Sequence, residues 1–338
     1  MRDLVEYSLN LRPDDGNRLE REIELFHSIG DDLPGAVRLL PSTRKGAIEL
    51  DARFEQPGSG VEEDSDLLRF SVAGVGLKMS MLLDGNRFTA PARDSLGDWL
   101  IKMPDRTFVD LPRNEFGIME LARLAGLNVP ETRAVMRAEV DSPDHFWSGE
   151  ELAYAIERFD RRGGRRVHIE DFAQVRNLPI GDAKYSGSFE TVARIAYAVG
   201  GQEDLDEVVR RLVFCYIVGN SDAHNKNWSL IYEDGINPRI SPAYDIVSVV
   251  AYSAIQIDIT PGLRLANRRR YQDVCLENFR RLARKAGSQV EVDGLVRAVV
   301  ESVMDSRAIL KDLWDGVRFD SSVVDRHMED MAESLLRD

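Results

Sequence analysis

Short apolar runs separated by turn signals fill the stretch of the chain between residues 47 and 104. Such runs are typical of β-strands, and turn residues such as those at 84–86 mark where one strand ends and the next begins. The pattern predicts strands at residues 47–54, 69–72, 78–83, 87–89 and 99–103. These strands are expected to form an antiparallel sheet.

Apolar residues recur at helical spacing in the next segment, residues 114–125, where Phe116, Met119 and Leu124 share one face. Glycine and proline follow this segment and end the predicted helix. Two further strands are predicted near residues 132–138 and 152–159.

Beyond Arg161 the pattern becomes helical. The apolar positions of residues 205–217 form one face of a helix that ends at Gly219. A single hairpin is expected to interrupt the helices because two strand-like runs flank a glycine turn. Its strands are predicted at residues 228–232 and 239–241, and residues 271–338 are predicted to be helical.

This order of elements predicts an α+β fold in three parts. Residues 1–48 are expected to form a short N-terminal helical segment, residues 49–160 a β-rich N-lobe, and residues 161–338 a mostly helical C-lobe. A chain of 338 residues is long enough to build two lobes, each with its own core.

Net charge limits the class of partner. The chain has 44 basic and 58 acidic residues, a formal charge of −14, which argues against binding nucleic acid over the whole surface. A local basic stretch remains, and we interpret it as a solvated face. It consists of Arg264, Arg268, Arg269 and Arg270.

Composition also indicates the compartment. The longest apolar runs are too short to span a bilayer, and the N-terminus lacks the apolar segment of a secretory signal. Cys215 and Cys275 form no C-x-x-C pair, and Cys215 lies in an apolar helical run, so a core thiol is expected. We therefore expect a cytoplasmic protein with no membrane partner.

The strongest candidate for chemistry is the string GNSDAHNKN at residues 219–227. Asp222 and Asn227 have the spacing of D-x-x-x-x-N in the catalytic loop of protein kinases. The hairpin then leads to Asp245, where kinases place a metal-binding aspartate. Asp222 could accept the proton of an attacking hydroxyl, while Asn227 and Asp245 offer oxygen ligands for Mg²⁺. The alternative is that Asp222 and Asn227 only cap turns.

Two upstream features fit nucleotide binding. Residues 71–78 contain two glycines in G-x-G spacing, for which an ordinary hairpin is the alternative. Lys102 is the single cation of an apolar strand, like the phosphate-binding lysine of the kinase V-A-I-K strand, and an edge lysine facing water is the alternative. Glu115 or Glu120 could form an ion pair with Lys102, and the position of Glu115 in the first turn of the helix favours it. An equally good interpretation is that Glu115 is an acid at the helix N-terminus with no partner.

Seven strings in fixed order make the chain similar to a known family. They are FSVAGV at 70–75, WLIKMP at 99–104, NEF at 114–116, AIERFDR at 155–161, HIEDFAQ at 168–174, GNSDAHNKN at 219–227 and SPAYD at 241–245. The chain resembles the HipA-type serine/threonine kinases of bacterial toxin–antitoxin systems. The resemblance implies a protein-kinase-like bilobal fold, with an antiparallel β-rich N-lobe and a mostly helical C-lobe, that uses ATP and Mg²⁺.

The resemblance also implies roles for individual residues. Asp222 corresponds to the catalytic aspartate, Asn227 and Asp245 to the magnesium ligands, and Lys102 to the nucleotide lysine. Ser71 falls on the serine that the family autophosphorylates, which switches the enzyme off. The implied ATP-binding residues are Ser71, Val72, Ala73, Gly74, Val75, Gly76, Lys78, Lys102, Glu157, Phe159, Asp160, His224 and Lys226, with Glu157 and Phe159 at the adenine and Asp160 near the ribose.

Partners follow from the same resemblance. The family implies a HipB-like helix-turn-helix antitoxin, with operator DNA bound through it, and a protein substrate of the aminoacyl-tRNA synthetase class, whose phosphorylation causes growth arrest or persistence. Gly76 replaces a glutamine that is common in the family. Residues 1–48 resemble only a remnant of the family's N-terminal subdomain, which is expected to be short, missing or supplied by another chain. A kinase of a small molecule and an inactive regulatory module in an antitoxin–DNA complex are the alternatives.

Overall fold

A computed structural model describes residues 33–36, 77–91, 96–179, 181–255 and 260–337 of the chain. They divide into two compact units. The β unit contains the described residues up to Pro104 together with residues 135–166. The helical unit contains residues 105–134 and the described residues from Val167 onward.

A five-stranded sheet forms most of the β unit, in the order β2-β1-β3-β5-β4. Strands β1, β2, β3 and β5 pair antiparallel, as the sequence predicts. The sheet consists of β1 (Lys78–Asp84), β2 (Arg87–Thr89), β3 (Trp99–Lys102), β4 (Thr132–Met136) and β5 (Leu152–Glu157). The predictions of strands at residues 78–83, 87–89, 99–103, 132–138 and 152–159 are confirmed, whereas 47–54 and 69–72 lie outside the described residues.

The side chains of β3 alternate between buried and half-buried, as expected for a strand with one face against the core. Trp99 and Ile101 are buried, whereas Leu100 and Lys102 are half-buried on the other face. Trp99 packs edge-on against Phe88 of β2, with ring centroids 5.6 Å apart, in a core of methionine, valine and aromatic side chains. Trp99 and Ile101 thereby bury one face of β3 in the apolar core, while Lys102 lies on the other face beside Tyr154.

The helical unit is built around one long helix, α3. Within the described residues the sequence-predicted helices are present, α1 beginning three residues before its predicted start. The helical segment predicted for residues 1–48 lies outside the described residues except at 33–36. The helices are α1 (Leu111–Leu124), α2 (Phe172–Val175), α3 (Phe189–Ile217), α4 (Leu276–Ala286), α5 (Asp293–Ser306), α6 (Ile309–Leu313) and α7 (Ser321–Leu336). Helix α3 breaks at Gly201, whose φ of 65° is open to glycine at little cost. None of the described helices combines the length and the apolar character needed to cross a membrane.

The apolar face predicted at residues 205–217 is the core of this unit. Leu205, Val208, Leu212 and Val213 are fully buried, and α3 packs against α4, α5 and α7. Burial raises the pKa of the Cys215 thiol to about 12, which confirms the interpretation of this cysteine as a core thiol.

A second sheet of three strands, in the order β10-β9-β8, lies in the helical unit. Strands β9 (Ser229–Tyr232) and β10 (Arg239–Ile240) form the predicted hairpin. Strand β8 (His168–Asp171) was not predicted, because its four residues are all half-buried and show no apolar alternation.

A two-stranded hairpin at residues 161–166 also departs from the prediction. Strands β6 (Arg161–Arg162) and β7 (Arg165–Arg166) flank Gly163 and Gly164, both with positive φ. The prediction that one hairpin alone interrupts the helices after Arg161 was wrong. The Gly-Gly pair is itself a hairpin signal. The flanking residues are all arginines, however, so they lack the alternation of apolar and polar residues by which a strand is recognised.

Candidate active site

The candidate site begins where α3 ends. Gly219 has a φ of 68°, and a β-carbon there would lie 2.6 Å from Cγ1 of Val250. A residue with a side chain would therefore clash as well as strain the backbone. After this turn the chain forms the loop of residues 220–224. The loop is followed by a short 3₁₀ helix at Asn225–Asn227 and then by β9.

Hydrogen bonds to the backbone fix Asp222 in this loop. Its N–H donates to Oδ1 of Asn220 at 3.0 Å. Its carbonyl accepts from the N–H of His224 at 2.8 Å and from Nδ2 of Asn227 at 2.7 Å. The side chain is 49% exposed. A carboxylate that is accessible on a rigid loop can accept a proton from an incoming group.

Two side chains lie beside this carboxylate. Nε2 of His224 and the hydroxyl of Tyr185 are each 3.5 Å from Oδ1 of Asp222. Burial holds the pKa of His224 below its usual value, although the charge of Asp222 acts in the opposite direction. The imidazole is therefore neutral near pH 7. The Tyr185 ring packs edge-on against it at 5.2 Å.

Asn225 connects the loop to the segment that carries Tyr185. The residue is fully buried, and its Nδ2 donates to the carbonyls of Lys184 at 2.6 Å and Ser186 at 3.0 Å. Because these two carbonyls flank Tyr185, the bonds hold its ring beside the loop. We assigned no role to Asn225 or Tyr185 from the sequence. The only signal was the position of Asn225 within the GNSDAHNKN string.

Asn227 and Asp245 line one small cleft together with Trp228 and Tyr244. The Tyr244 hydroxyl lies 2.5 Å from Oγ of Ser229 and 3.1 Å from the Lys226 carbonyl, which holds the returning chain against β9. Asp245 has a φ of 59°, a left-handed conformation that is uncommon outside glycine and often occurs at functional sites.

The oxygen atoms of this cleft suit magnesium. Among the described residues no group of three or more His, Cys, Asp or Glu side chains could hold a metal. Nδ2 of Asn227 is bonded to the Asp222 carbonyl, which leaves its amide oxygen for a ligand. Magnesium usually takes one or two protein oxygens and completes its shell with water and phosphates. Asn227 and Asp245 therefore fit Mg²⁺ that arrives with a nucleotide.

Two candidate nucleotide lysines lie directly opposite each other in the β unit. Lys78 on β1 pairs in register with Lys102 on β3. Nζ of Lys102 lies 5.6 Å from the centre of the Tyr154 ring. The rest of the predicted phosphate loop, residues 71–76, lies outside the described residues.

Asp160 is buried among cations. Its carboxylate accepts two bonds from Arg158 at 3.0 Å, one from Nη1 of Arg161 at 2.8 Å and one from the N–H of Gly35 at 2.7 Å. Burial alone would raise its pKa, but the two guanidiniums outweigh burial and hold the pKa below its usual value. The contacts give this residue a structural role, and the ribose contact stays a prediction.

The remaining predicted residues are placed as follows. Glu157 is exposed at the end of β5, and Phe159 is half-buried two residues later. Lys226 is half-buried, and Glu115 is buried on α1. The structure thus brings Asp222, His224, Asn227 and Asp245 together in the helical unit, and Lys78 and Lys102 together in the β unit.

Comparison with known proteins adds the family. The profile of the HipA-like C-terminal domain matches residues 70–307. The "Putative kinase Y4dM" of Sinorhizobium fredii is 38% identical over 276 residues, 80% of this chain and 66% of its own length. The serine/threonine-protein kinase toxin HipA of Shewanella oneidensis is 31% identical over 263 residues, 68% of this chain. The chain spans 57% of that toxin's length.

A solved structure shows the fold. The Shewanella oneidensis HipA in a complex with HipB and operator DNA superposes with a TM-score of 0.67 over 98% of this chain and 80% of that one. The two sequences are 22% identical in this comparison. The predicted α+β, protein-kinase-like fold is thereby confirmed.

Proposed function

The chain belongs to the HipA-like C-terminal domain family, and from this premise we propose that it is an ATP-dependent serine/threonine protein kinase. One observation supports this proposal most directly. Asp222 is fixed and accessible on a loop whose Asn227 also lines a cleft with Asp245. Phosphoryl transfer depends on positioning and on neutralising charge, and these three oxygen-bearing side chains serve both.

Each residue has a distinct task in the proposed reaction. Asp222 orients the attacking hydroxyl and accepts its proton. Asn227 and Asp245 hold Mg²⁺, which, when bound with ATP, neutralises charge on the phosphates. Lys102 and Lys78 offer positive charge to nucleotide phosphates. The neutral His224 lies beside Asp222, with Nε2 3.5 Å from Oδ1 of the carboxylate.

The substrate and partners follow from the relatives. One relative carries the name of a serine/threonine-protein kinase toxin, and its solved structure is a complex with HipB and operator DNA. We therefore assign this chain a protein substrate. The resemblance of its sequence to HipA-type kinases makes an aminoacyl-tRNA synthetase the candidate. We also assign it autophosphorylation at Ser71, a HipB-like antitoxin through which it meets operator DNA, and a cytoplasmic site of action.

The test is transfer of labelled phosphate. The purified chain is incubated with magnesium and γ-labelled ATP, first alone and then with a bacterial extract separated into proteins and metabolites. Label on protein, and on a peptide containing Ser71 by mass spectrometry, is the expected result. Label confined to a metabolite would identify a small-molecule kinase. Nucleotide binding without transfer to any acceptor would indicate an inactive module.

Replacing Asp245 by alanine is expected to remove most of the magnesium dependence of nucleotide binding. The variant loses the one carboxylate of the cleft, and a hard cation binds poorly to the remaining amide oxygen alone. ATP affinity is measured by calorimetry across a magnesium titration. Asp273→Ala, an exposed aspartate of the same unit, serves as the control. An unchanged magnesium titration in Asp245→Ala would refute the assignment.

Replacing Lys102 by methionine is expected to weaken ATP binding by about 10- to 100-fold, the value of one or two charge-assisted contacts. Folding stability should change less than ATP affinity, because methionine keeps much of the aliphatic length of the half-buried lysine side chain. Both quantities are measured, by nucleotide titration and by urea unfolding. Lys311→Met, at an exposed position on α6, is the control. Loss of stability with ATP affinity intact would make Lys102 a structural residue.

A further inference from the structure

We infer that the basic turn, residues 264–270, binds acidic residues of the protein substrate beside the hydroxyl that is phosphorylated. The inference rests on the proposed protein-kinase function and deepens it by naming the chemistry of the substrate. Three observations on the described residues support it: the turn follows a segment that contacts the Asp222 loop, its backbone is hydrogen-bonded, and its arginines form no ion pair.

The segment that leads into the basic turn lies against the loop of Asp222. A β-carbon on Gly262 would be 3.0 Å from the carbonyl oxygen of Ser221 and 3.0 Å from the carbonyl carbon of Ala223. A β-carbon at these distances would be closer than ordinary van der Waals contact, so glycine at position 262 suits the close approach of the two backbones on both sides of Asp222. A substrate chain that delivers a hydroxyl to Asp222 must therefore pass close to this segment.

The backbone of the basic turn is well defined. The carbonyl of Arg264 accepts from the N–H of Phe189 at 2.9 Å, which anchors the turn to the start of α3. Leu265 and Arg268 exchange two backbone hydrogen bonds, with Ala266 and Asn267 between them at φ values of 50° and 66°. Two left-handed central residues identify a type I′ turn. Alanine in this conformation is unfavourable, and such strain often occurs at functional sites.

The charge of the basic turn is left without internal partners. Its four arginines are exposed. Within the described part of the chain, no ion pair joins any of them to an acidic residue. In a chain with a net charge of −14, four unpaired guanidiniums within seven residues are a local exception. The four are Arg264, Arg268, Arg269 and Arg270.

Positive charge also lies on the segment that contacts Asp222. Nζ of Lys184 is 4.9 Å from the centre of the Tyr185 ring, and the Tyr185 hydroxyl reaches Oδ1 of Asp222. The Lys184 carbonyl is bonded to the buried Asn225. An acidic side chain near the reacting hydroxyl would therefore meet cations on this segment as well as on the basic turn.

An acidic protein segment fits this surface better than nucleic acid does. Guanidiniums bind carboxylates in a bidentate manner, and the reaction proposed for Asp222 requires an acceptor that carries a hydroxyl. The overall negative charge of the chain opposes the approach of a long polyanion, while a short acidic segment makes contact only at the local positive surface. Charge pairing of this kind provides selectivity and steering of the substrate.

The test uses synthetic peptides with a central serine flanked by glutamate, lysine or alanine. Phosphorylation by the whole chain is measured with magnesium and labelled ATP at low and high salt. We expect kcat/KM for the glutamate peptide to exceed that for the lysine peptide by at least about tenfold at low salt, because several charge pairs act together. The variant Arg268→Glu, Arg269→Glu, Arg270→Glu should abolish or reverse this preference and leave the KM for ATP unchanged.

A matched variant, Arg281→Glu, Arg297→Glu, Lys311→Glu, controls for total charge. It makes the same charge change at exposed positions on α4, α5 and α6, and it should keep the preference for glutamate. Equal rates for the three wild-type peptides, or equal preferences in the two triple variants, would overturn the inference. A third result would also overturn it: the wild type binds a DNA duplex or tRNA, only the Arg268–Arg270 variant loses this binding, and the wild type shows no preference for the glutamate peptide.

These outcomes separate the inference from the proposed function. Label on the chain itself but on none of the peptides would overturn the acidic-substrate inference and leave the kinase proposal intact. Absence of label on every acceptor, with ATP still bound, would overturn both. Circular dichroism and ATP binding show whether each triple variant is folded before its peptide kinetics are compared.

Discussion

Replacing Asp222 by alanine is expected to lower the rate of phosphoryl transfer by about 10²–10⁴-fold, the usual contribution of a positioned general base. The protein should still fold, because the contacts that shape the loop are made by the backbone of Asp222. Its N–H and carbonyl bond to Asn220, His224 and Asn227, and alanine keeps all three bonds. Single-turnover transfer from labelled ATP measures the rate, and thermal unfolding measures stability.

The matched control is Asp182→Ala. Asp182 is exposed on the short 3₁₀ helix that carries Tyr185, so the substitution removes the same charge near the same surface. This variant should transfer phosphate at close to the wild-type rate. If Asp222→Ala retained activity within about threefold of wild type, a general-base or orienting role for Asp222 would be excluded.

Sequence patterns were sufficient to predict the elements that hold Asp222. An apolar helical face at residues 205–217, a glycine after it and a hairpin beyond are all local signals, and each is present in the structure. The spacing of apolar residues and the presence of turn residues can be recognised in a short stretch of sequence, because the side chains involved are neighbours in the chain. The role of Asp222 was suggested by its spacing from Asn227, and it stays a prediction.

The support around the candidate site could not be predicted in the same way. Asn225 bonds to the carbonyls of Lys184 and Ser186, which lie 41 and 39 residues earlier in the chain. Strand β8 joins the hairpin by pairing with β9 across a still larger separation, from His168 opposite Tyr232 to Asp171 opposite Ser229, and its own four residues show no strand pattern. Contacts of this kind depend on tertiary packing, which the local spacing of apolar residues and the propensities of single residues do not reveal.

Asp160 illustrates how a resemblance and a geometry can suggest different roles for one residue. The family pattern places it near the ribose, whereas its carboxylate is buried and bonded to Arg158, Arg161 and the Gly35 N–H. Both side-chain ion pairs are almost fully shielded from water. Removing one partner of a buried ion pair leaves the other charge desolvated and unpaired, which is among the most damaging substitutions.

We therefore expect Asp160→Ala to lower the free energy of unfolding by about 3–5 kcal/mol, the typical loss when a buried ion pair is broken. Urea unfolding at neutral pH measures the loss. Because the folded pKa of Asp160 is depressed, its stabilising contribution is present above the unfolded pKa of about 3.9 and disappears as the pH falls through the folded pKa. The difference between wild type and variant should accordingly shrink in that acidic range.

Asp144→Ala provides the comparison. Asp144 also pairs with an arginine, Arg137 at 2.6 Å, but its side chain is 91% exposed, so solvent screens the pair and the loss should be far smaller. ATP affinity of Asp160→Ala, measured well below its unfolding midpoint, separates the two roles of Asp160. Weak ATP binding by a variant as stable as wild type would assign Asp160 to the ribose. A destabilised variant whose folded fraction binds ATP normally would assign it to the buried cluster that it forms with Arg158 and Arg161.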